Sequence, residues 1–392
     1  MNNSLIEVWP EVLESIKDNC EQLVPLIPDP SLHAELPPFL LSTLSLGYLY
    51  LFAGDARNPR WGPMLNPAFN LTSPNPDLRY FFAVVEDSGV YRIAGWRGTV
   101  RQVQISVGAD FLGLTDRPGP TLQDFELDEL NLGPDGRFEV ILSKARPADY
   151  SGDWRLLNPG AHHLMARQTS YDWLNERDAI LTIERLDVAV PAPRLSAEEI
   201  ARRMRCLKEW PLRMVRPWFH WMANMRNKGL LNKMDISGFS SVGGQSAMRY
   251  YEGLYELSDD EALIVESDVP TEYFYWSVLL TDGLFRNVDS TTRQGSLNGH
   301  QIHIDDDGRA RFVIAPQDPA VPNWLDCGGY RAGCIHWRWN RCSSFPDAPT
   351  VRRVKFAELH RHLPASTPKV SAGERDHALR QRWQGAQVRR FW

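Results

Sequence analysis

The run SLNGHQIHIDDDGRARFVIAPQDPAVPNWLD, Ser296 to Asp326, decides how the chain is read. Two stretches rich in β-branched and alternating residues, Gln301–Ile304 and Arg311–Ile314, flank Asp305-Asp306-Asp307-Gly308. Acidic residues ending in glycine supply the turn backbone that a short antiparallel connection needs, so the pair reads as a β-hairpin. On either side, Ala262–Ser267, Phe274–Leu279, Cys334–Trp339 and Arg352–Phe356 are further short strand patterns bounded by Gly, Asp and Pro.

Upstream the same texture returns. Tyr80–Val85, Gly89–Ala94, Thr99–Val107 and Phe138–Leu142 read as strands separated by DSG, GWRG and PDG turn signals. His162–Gln168 and Ala179–Arg185 add short strands or a helix. Short strands with frequent turns predict sandwiches. The expected fold class is mainly β with accessory helices (α+β): two β-sandwich or jelly-roll-like domains joined by a helical connector. Residues 1–60 read as an N-terminal helical segment, because Leu5, Val8, Val12, Leu13 and Ile16 recur at helical spacing. The first β domain spans 61–192 and opens with a Pro/Asn-rich loop at 61–80. The connector spans 193–235; Ser196 and Glu199 fit a capping box, and kinks are expected at Pro211 and Pro217. The second, jelly-roll-like domain spans 236–363, and a basic tail, frayed or docked as a helix, spans 364–392.

The 392 residues are 43% hydrophobic and 23% charged, which fits a soluble globular protein and excludes a disordered or collagen-like chain. Lys and Arg total 43 against 49 Asp and Glu, a net charge of -6, so no electrostatic footprint for nucleic acid is present. Five scattered cysteines do not form a disulfide framework and point to reduced thiols in the cytoplasm. Leu36–Gly54 lacks charge, but Pro37, Pro38 and interspersed Ser, Thr and Gly favour a buried core helix over a membrane span. The basic, Trp-bearing 196–235 segment could lie on a membrane surface, yet a connector whose Trp residues pack between domains is the simpler expectation.

The run Ser296-Leu297-Asn298-Gly299-His300-Gln301, then Asp306-Asp307-Gly308, Phe312-Val313-Ile314-Ala315 and Val321-Pro322-Asn323-Trp324-Leu325-Asp326, resembles the bacterial family called domain of unknown function twelve-fourteen. Arg338-Trp339 agrees. Leu65-Asn66-Pro67, Pro74-Asn75-Pro76-Asp77 and Tyr91-Arg92-Ile93 resemble an N-terminal companion β domain of its longer members. The resemblance implies two β-sandwich-like domains, the second like a jelly roll, and no established activity. Many members carry a His where this chain has Tyr330.

Several residues could carry chemistry. His300 is a candidate acid, base or ligand, and Asn298 and Gln301 can orient hydroxyl groups. Asp326 could serve as general acid or base if burial raised its pKa, with Trp324 stacking on a ring and Asn323 positioning. His336 offers a further polar group. Asn75, Asp77 and Arg79 share the long N-terminal loop with Asn66 and Asn70, and ordered loops on β scaffolds often carry function. Each has a plainer reading: a polar turn, a cap on Gly328-Gly329, a core plug. His300 and His303 would face opposite sides of one regular strand, which argues against joint chelation. No P-loop, dinucleotide fingerprint, GxSxG elbow or HExxH motif occurs.

These features lead to an expected small-molecule-handling protein with its site at the junction of the two β domains. The expected ligand is hydroxylated and ring-containing, a sugar or aromatic metabolite. The expected chemistry is acid/base hydrolysis or elimination without cofactor or metal, with His300 and Asp326 catalytic. The alternative is a non-catalytic glycan- or protein-binding module. No nucleic-acid or membrane partner is expected, and a homo-oligomer is compatible with the reading.

Overall fold

The computed structural model describes residues 4–191, 193–245 and 247–389. The first β domain contains β1 (Gly62–Pro63), β2 (Leu78–Val84), β3 (Tyr91–Trp96), β4 (Gln102–Gly108), β5 (Thr121–Glu126), β6 (Arg137–Ser143), β7 (Asp153–Leu156), β8 (His163–Thr169) and β9 (Ile180–Arg185). They form two sheets, β1-β2-β8-β4-β5 and β7-β6-β3-β9. Alternation turns Val103, Ile105 and Val107 of β4 and Leu164 and Ala166 of β8 inward. There they share a core with Ile93, Val140 and Leu142 of the other sheet.

The second β domain contains β10 (Lys233–Ser237), β11 (Met248–Glu256), β12 (Glu261–Asp268), β13 (Tyr273–Thr281), β14 (Ser296–Asn298), β15 (Arg309–Ala315), β16 (Trp324–Asp326), β17 (Ala332–Cys342) and β18 (Thr350–Lys355). Its sheets run β10-β11-β17-β13-β14 and β16-β15-β12-β18. Trp276 and Trp339, paired across β13 and β17, stack with centroids 4.4 Å apart at 13°. Phe312 of the opposite sheet meets Trp337 edge-on at 5.0 Å. Each fully buried indole removes on the order of 200 Å² from water, about 5 kcal/mol. The mainly β architecture with accessory helices is therefore as the strand patterns indicate. One strand is different: Gln301–Ile304 joins no sheet, because the Asn298 carbonyl accepts both Gln301 N and Ile302 N and turns the chain.

The helices fasten the two domains together. α1 (Ser4–Leu23) and α2 (Leu36–Tyr48) pack against α3 (Ala197–Asn227). Ser196 Oγ caps α3 by accepting Glu199 N at 3.1 Å. The helix runs unbroken through Pro211 and Pro217. Trp210 of α3 lies against Tyr50 and Phe111 on the first-domain side. Trp218, two turns on, stacks on Phe285 of the second domain at 5.4 Å and 7°. Pro30–Ala53 is long and apolar enough to cross a membrane by length and composition. In the fold it buries Leu36, Phe39, Leu40 and Leu46 and leaves Leu41 exposed. α4 (Ala372–Val388) closes the described chain.

Candidate functional site at the domain junction

The faces of the two larger sheets that point away from their own cores are polar, and each is buried by the other domain. Gln102, Gln104 and Ser106 of β4 and His336, Arg338 and Asn340 of β17 all fall at or below 4% exposure. They alternate with the core residues Val103, Ile105, Trp337 and Trp339, so strand geometry places them on the opposite face. Gln245 Nε2 donates to Gln104 Oε1 at 2.9 Å, and Arg167 Nη2 to the Gly243 carbonyl at 2.7 Å.

Asp77 is the hub of this junction. Its carboxylate accepts Trp173 Nε1 at 2.8 Å and Asn298 Nδ2 at 2.7 Å on Oδ1, and the Tyr275 hydroxyl at 2.6 Å on Oδ2. Asn75 Nδ2 donates to the same Tyr275 oxygen at 2.7 Å. Burial pushes the Asp77 carboxyl above its usual range, opposed by these hydrogen bonds and by Arg382. α4 seals the hub from outside with Arg375 and Arg382, seven residues apart and so on one face, and with Arg389 at its C-terminal cap. Arg389 Nη1 donates to the Asp77 carbonyl at 2.6 Å, Arg382 Nη2 to Ser296 Oγ at 2.5 Å and Arg375 Nη1 to Gln294 Oε1 at 2.8 Å. Arg79 answers from the first domain, donating to the Ala386 carbonyl at 3.1 Å and the Arg389 carbonyl at 3.3 Å.

Beside the hub a cleft of about 470 Å³ opens between loop 66–77, loop 282–291 and α2. The two loops are clasped: Asn70 Nδ2 donates to the Asn287 carbonyl, and Asn287 N to Asn70 Oδ1, both at 2.8 Å. Ser73 N donates to the Phe285 carbonyl at 2.9 Å. Thr72, Ser73 and Phe285 all have left-handed backbones, with φ between 52° and 62°. Each such non-glycine residue costs roughly 1–3 kcal/mol and persists only where the surroundings impose it.

Charged groups on the cleft wall are already engaged. Asp282, raised by burial, accepts Arg286 Nε at 2.7 Å, and Arg286 also pairs with Glu35. Asp289 caps Thr291 and Thr292. Two amides are not fully engaged. Asn66 Oδ1 accepts Ala68 N and Phe69 N, which fixes its orientation and leaves Nδ2 buried without a partner among the described residues. Asn287 Nδ2 donates to the Pro74 carbonyl at 2.5 Å, which leaves Oδ1 buried, likewise without a partner among the described residues.

The structure divides the sequence candidates into four groups. Asn75, Asp77 and Asn298 come together in the hub, and Arg79 lies between cleft and α4. His300 and Gln301 line a separate cavity of about 470 Å³ against α4. There His300 Nε2 lies 3.7 Å from Asp172, while Gln301 Oε1 accepts Asn298 N at 3.1 Å. Asp326 pairs with Arg293 at 3.0 Å and caps Gly328 N at 2.7 Å. Asn323 holds both sides of a turn through the His303 amide and carbonyl. Trp324 is buried, donating to the Ala315 carbonyl with Arg375 over its ring. His336 is fully buried on Glu252 at 2.7 Å, and desolvation lowers its pKa. His303 lies near Asp305 rather than His300. Beyond the sequence candidates, Trp173, Asn287, Arg167 and Arg338 also reach the junction, as does Tyr275. Only Tyr275 on β13 and Arg338 on β17 carry a sequence signal, the alternation of polar with aromatic residues that marks a second buried face; Arg167 lies on β8, and Trp173 and Asn287 lie on loops.

Comparison with known proteins finds similar chains of known structure. An uncharacterized Burkholderia cenocepacia protein of known structure is 26% identical, with a TM-score of 0.85 over 92% of this chain and 100% of its own. A Vibrio parahaemolyticus protein superposes with a TM-score of 0.45 at 11% identity, covering 81% of this chain and 98% of its own. No curated protein matches the chain. Residues 256–335 match the family described as protein of unknown function, DUF1214. The matched stretch runs from the end of β11 into β17 of the second β domain.

Proposed function

We propose that the protein binds a neutral, hydroxylated, ring-bearing small molecule in the cleft between its two β domains. The observation that carries this is the pair of unpartnered buried amide atoms, Asn66 Nδ2 and Asn287 Oδ1, one donor and one acceptor, on residues that line the cleft. Hydroxyl groups satisfy both kinds of partner, and the neighbouring charges already have counter-charges. Phe39, Leu65, Pro67 and Pro74 supply an apolar surface for a ring. Binding rather than turnover is the reading, because His300 lies against α4 and Asp326 is held by Arg293 and the Gly328 turn.

The test is a thermal-shift screen of hexoses, inositols and catechols. A ligand at 100 times its Kd stabilises by about 2.7 kcal/mol. Ala68, exposed on the rim, takes no part in the clasp through its side chain. Ala68→Trp narrows the cleft and is expected to abolish the shift. A panel with no hit, or a hit that survives Ala68→Trp, would sink this reading.

A further inference from the structure

A third cavity, of about 120 Å³, lies between the facing sheets behind loop 66–77. Met64, Phe111, Met165, Trp218 and Met248 form its apolar wall. Arg167, Arg338, Tyr80, Tyr250 and His163 form most of its polar wall.

The arginines are the feature that needs explaining. Arg167 is 5% exposed and Arg338 3%. Among the described residues neither has a carboxylate partner. Arg167 donates to Ser106 Oγ at 2.9 Å and to the Gly243 carbonyl at 2.7 Å. Arg338 Nη2 makes only long contacts to Ser73, 3.3 Å to its carbonyl and 3.5 Å to Oγ, and Nη1 has no partner. Two buried guanidiniums facing one cavity without a counter-charge are expensive to hold, since buried charges are normally paired. Asp110 also lines the wall, but it is half-exposed and lies against His162 at 3.2 Å.

The two phenols on the wall also suit an anion. The Tyr80 hydroxyl oxygen accepts Asn75 N and that of Tyr250 accepts Gln245 N, both at 2.9 Å, so each phenol keeps its own proton to donate. Burial raises both phenols, so they stay protonated. His163 faces the Ala109 carbonyl through Nδ1 at 2.8 Å, and burial holds it neutral, at about 4.

We propose that this cavity binds a small organic carboxylate on a short apolar body, with the carboxylate held by Arg338 and Arg167. The planar fork of a guanidinium matches a carboxylate, and the Met, Phe and Trp wall suits an alkyl or aryl body rather than a hydrated inorganic ion. The site is separate from the cleft, although Leu65, Pro74, Asn75 and Leu78 line both.

The experiment is calorimetric titration and thermal shift with benzoate and hexanoate, their matched primary amides, and inorganic phosphate, all on the unmodified protein at pH 7. The acids are expected to bind and raise Tm; the amides and phosphate are not. Arg338→Gln is expected to weaken acid binding on the order of tenfold or more, the loss of one charge-assisted contact. Tyr250→Phe, a milder change, is expected to weaken it several-fold, and Ala68→Trp to leave it unchanged. The proposal is overturned if neither acid binds, if the amides or phosphate bind as well as the acids, or if a folded Arg338→Gln variant binds like the parent. Loss of polyol binding with acid binding intact would bear on the cleft alone.

Discussion

Replacing Asp77 probes whether the hub holds the two domains together. Asp77→Ala strands three buried donors, Trp173 Nε1, Asn298 Nδ2 and the Tyr275 hydroxyl. Each stranded donor costs about 1–3 kcal/mol, and water admitted to the vacated space recovers part, so about 4 kcal/mol is expected. Asp77→Asn keeps one oxygen for Trp173 and Asn298 and turns an amide N–H toward the Tyr275 oxygen, which can accept. Its expected cost is about 1–2 kcal/mol. Urea unfolding followed by Trp fluorescence reads both as falls in midpoint at constant m. The pH dependence has a definite sign. A carboxyl raised in the folded state contributes stability that is fully present below its unfolded pKa and lost as pH rises through the folded one. Stability of the parent relative to Asp77→Asn therefore declines from about pH 4 upward. An Asp77→Ala variant within about 1 kcal/mol of the parent, or equal to Asp77→Asn, would refute the hub as a fastening.

Two further outcomes follow from the packing. His163, depressed to about 4 by burial, contributes stability that is present above its unfolded pKa near 6.5 and lost as pH falls toward 4. The span is worth about 3 kcal/mol, and His163→Gln should flatten the stability profile in that window. Gly299→Ala puts a Cβ within 2.2 Å of both the Tyr171 hydroxyl and Trp276 Nε1. It should cost about 1–3 kcal/mol and show in the near-UV dichroism of the Trp stack, and an unchanged spectrum would contradict the packing.

Strand positions were legible because alternation is a local signal. The hairpin around Asp305–Gly308 was only half legible: the arm after the turn is β15, whereas the arm before it is bent by the Asn298 carbonyl. Local propensity does not see that bond. The hub was legible as separate pieces. Asn75 and Asp77 on one loop and Asn298 beside a turn each stood out, yet the bond joining Asp77 to Asn298 spans 221 residues. The face carrying His336, Arg338 and Asn340 announces itself as distinct from the Trp face, but nothing local says that another domain covers it. Asp326 and Asn323 look like site residues because turn-capping chemistry and ligand-holding chemistry use the same side chains.

α4 carries a consequence for the order of events during synthesis. The Asp77 carbonyl waits for Arg389, 312 residues downstream. The first sandwich can collapse around a core drawn from its own stretch of chain as it leaves the ribosome, whereas the core of the second runs on into the helices that pack over the junction. The junction cannot be sealed until the three arginines have emerged. A nascent chain lacking α4 would hold two folded β domains with their polar faces still wet, so the loops that shape the cleft gain their last support only when α4 docks.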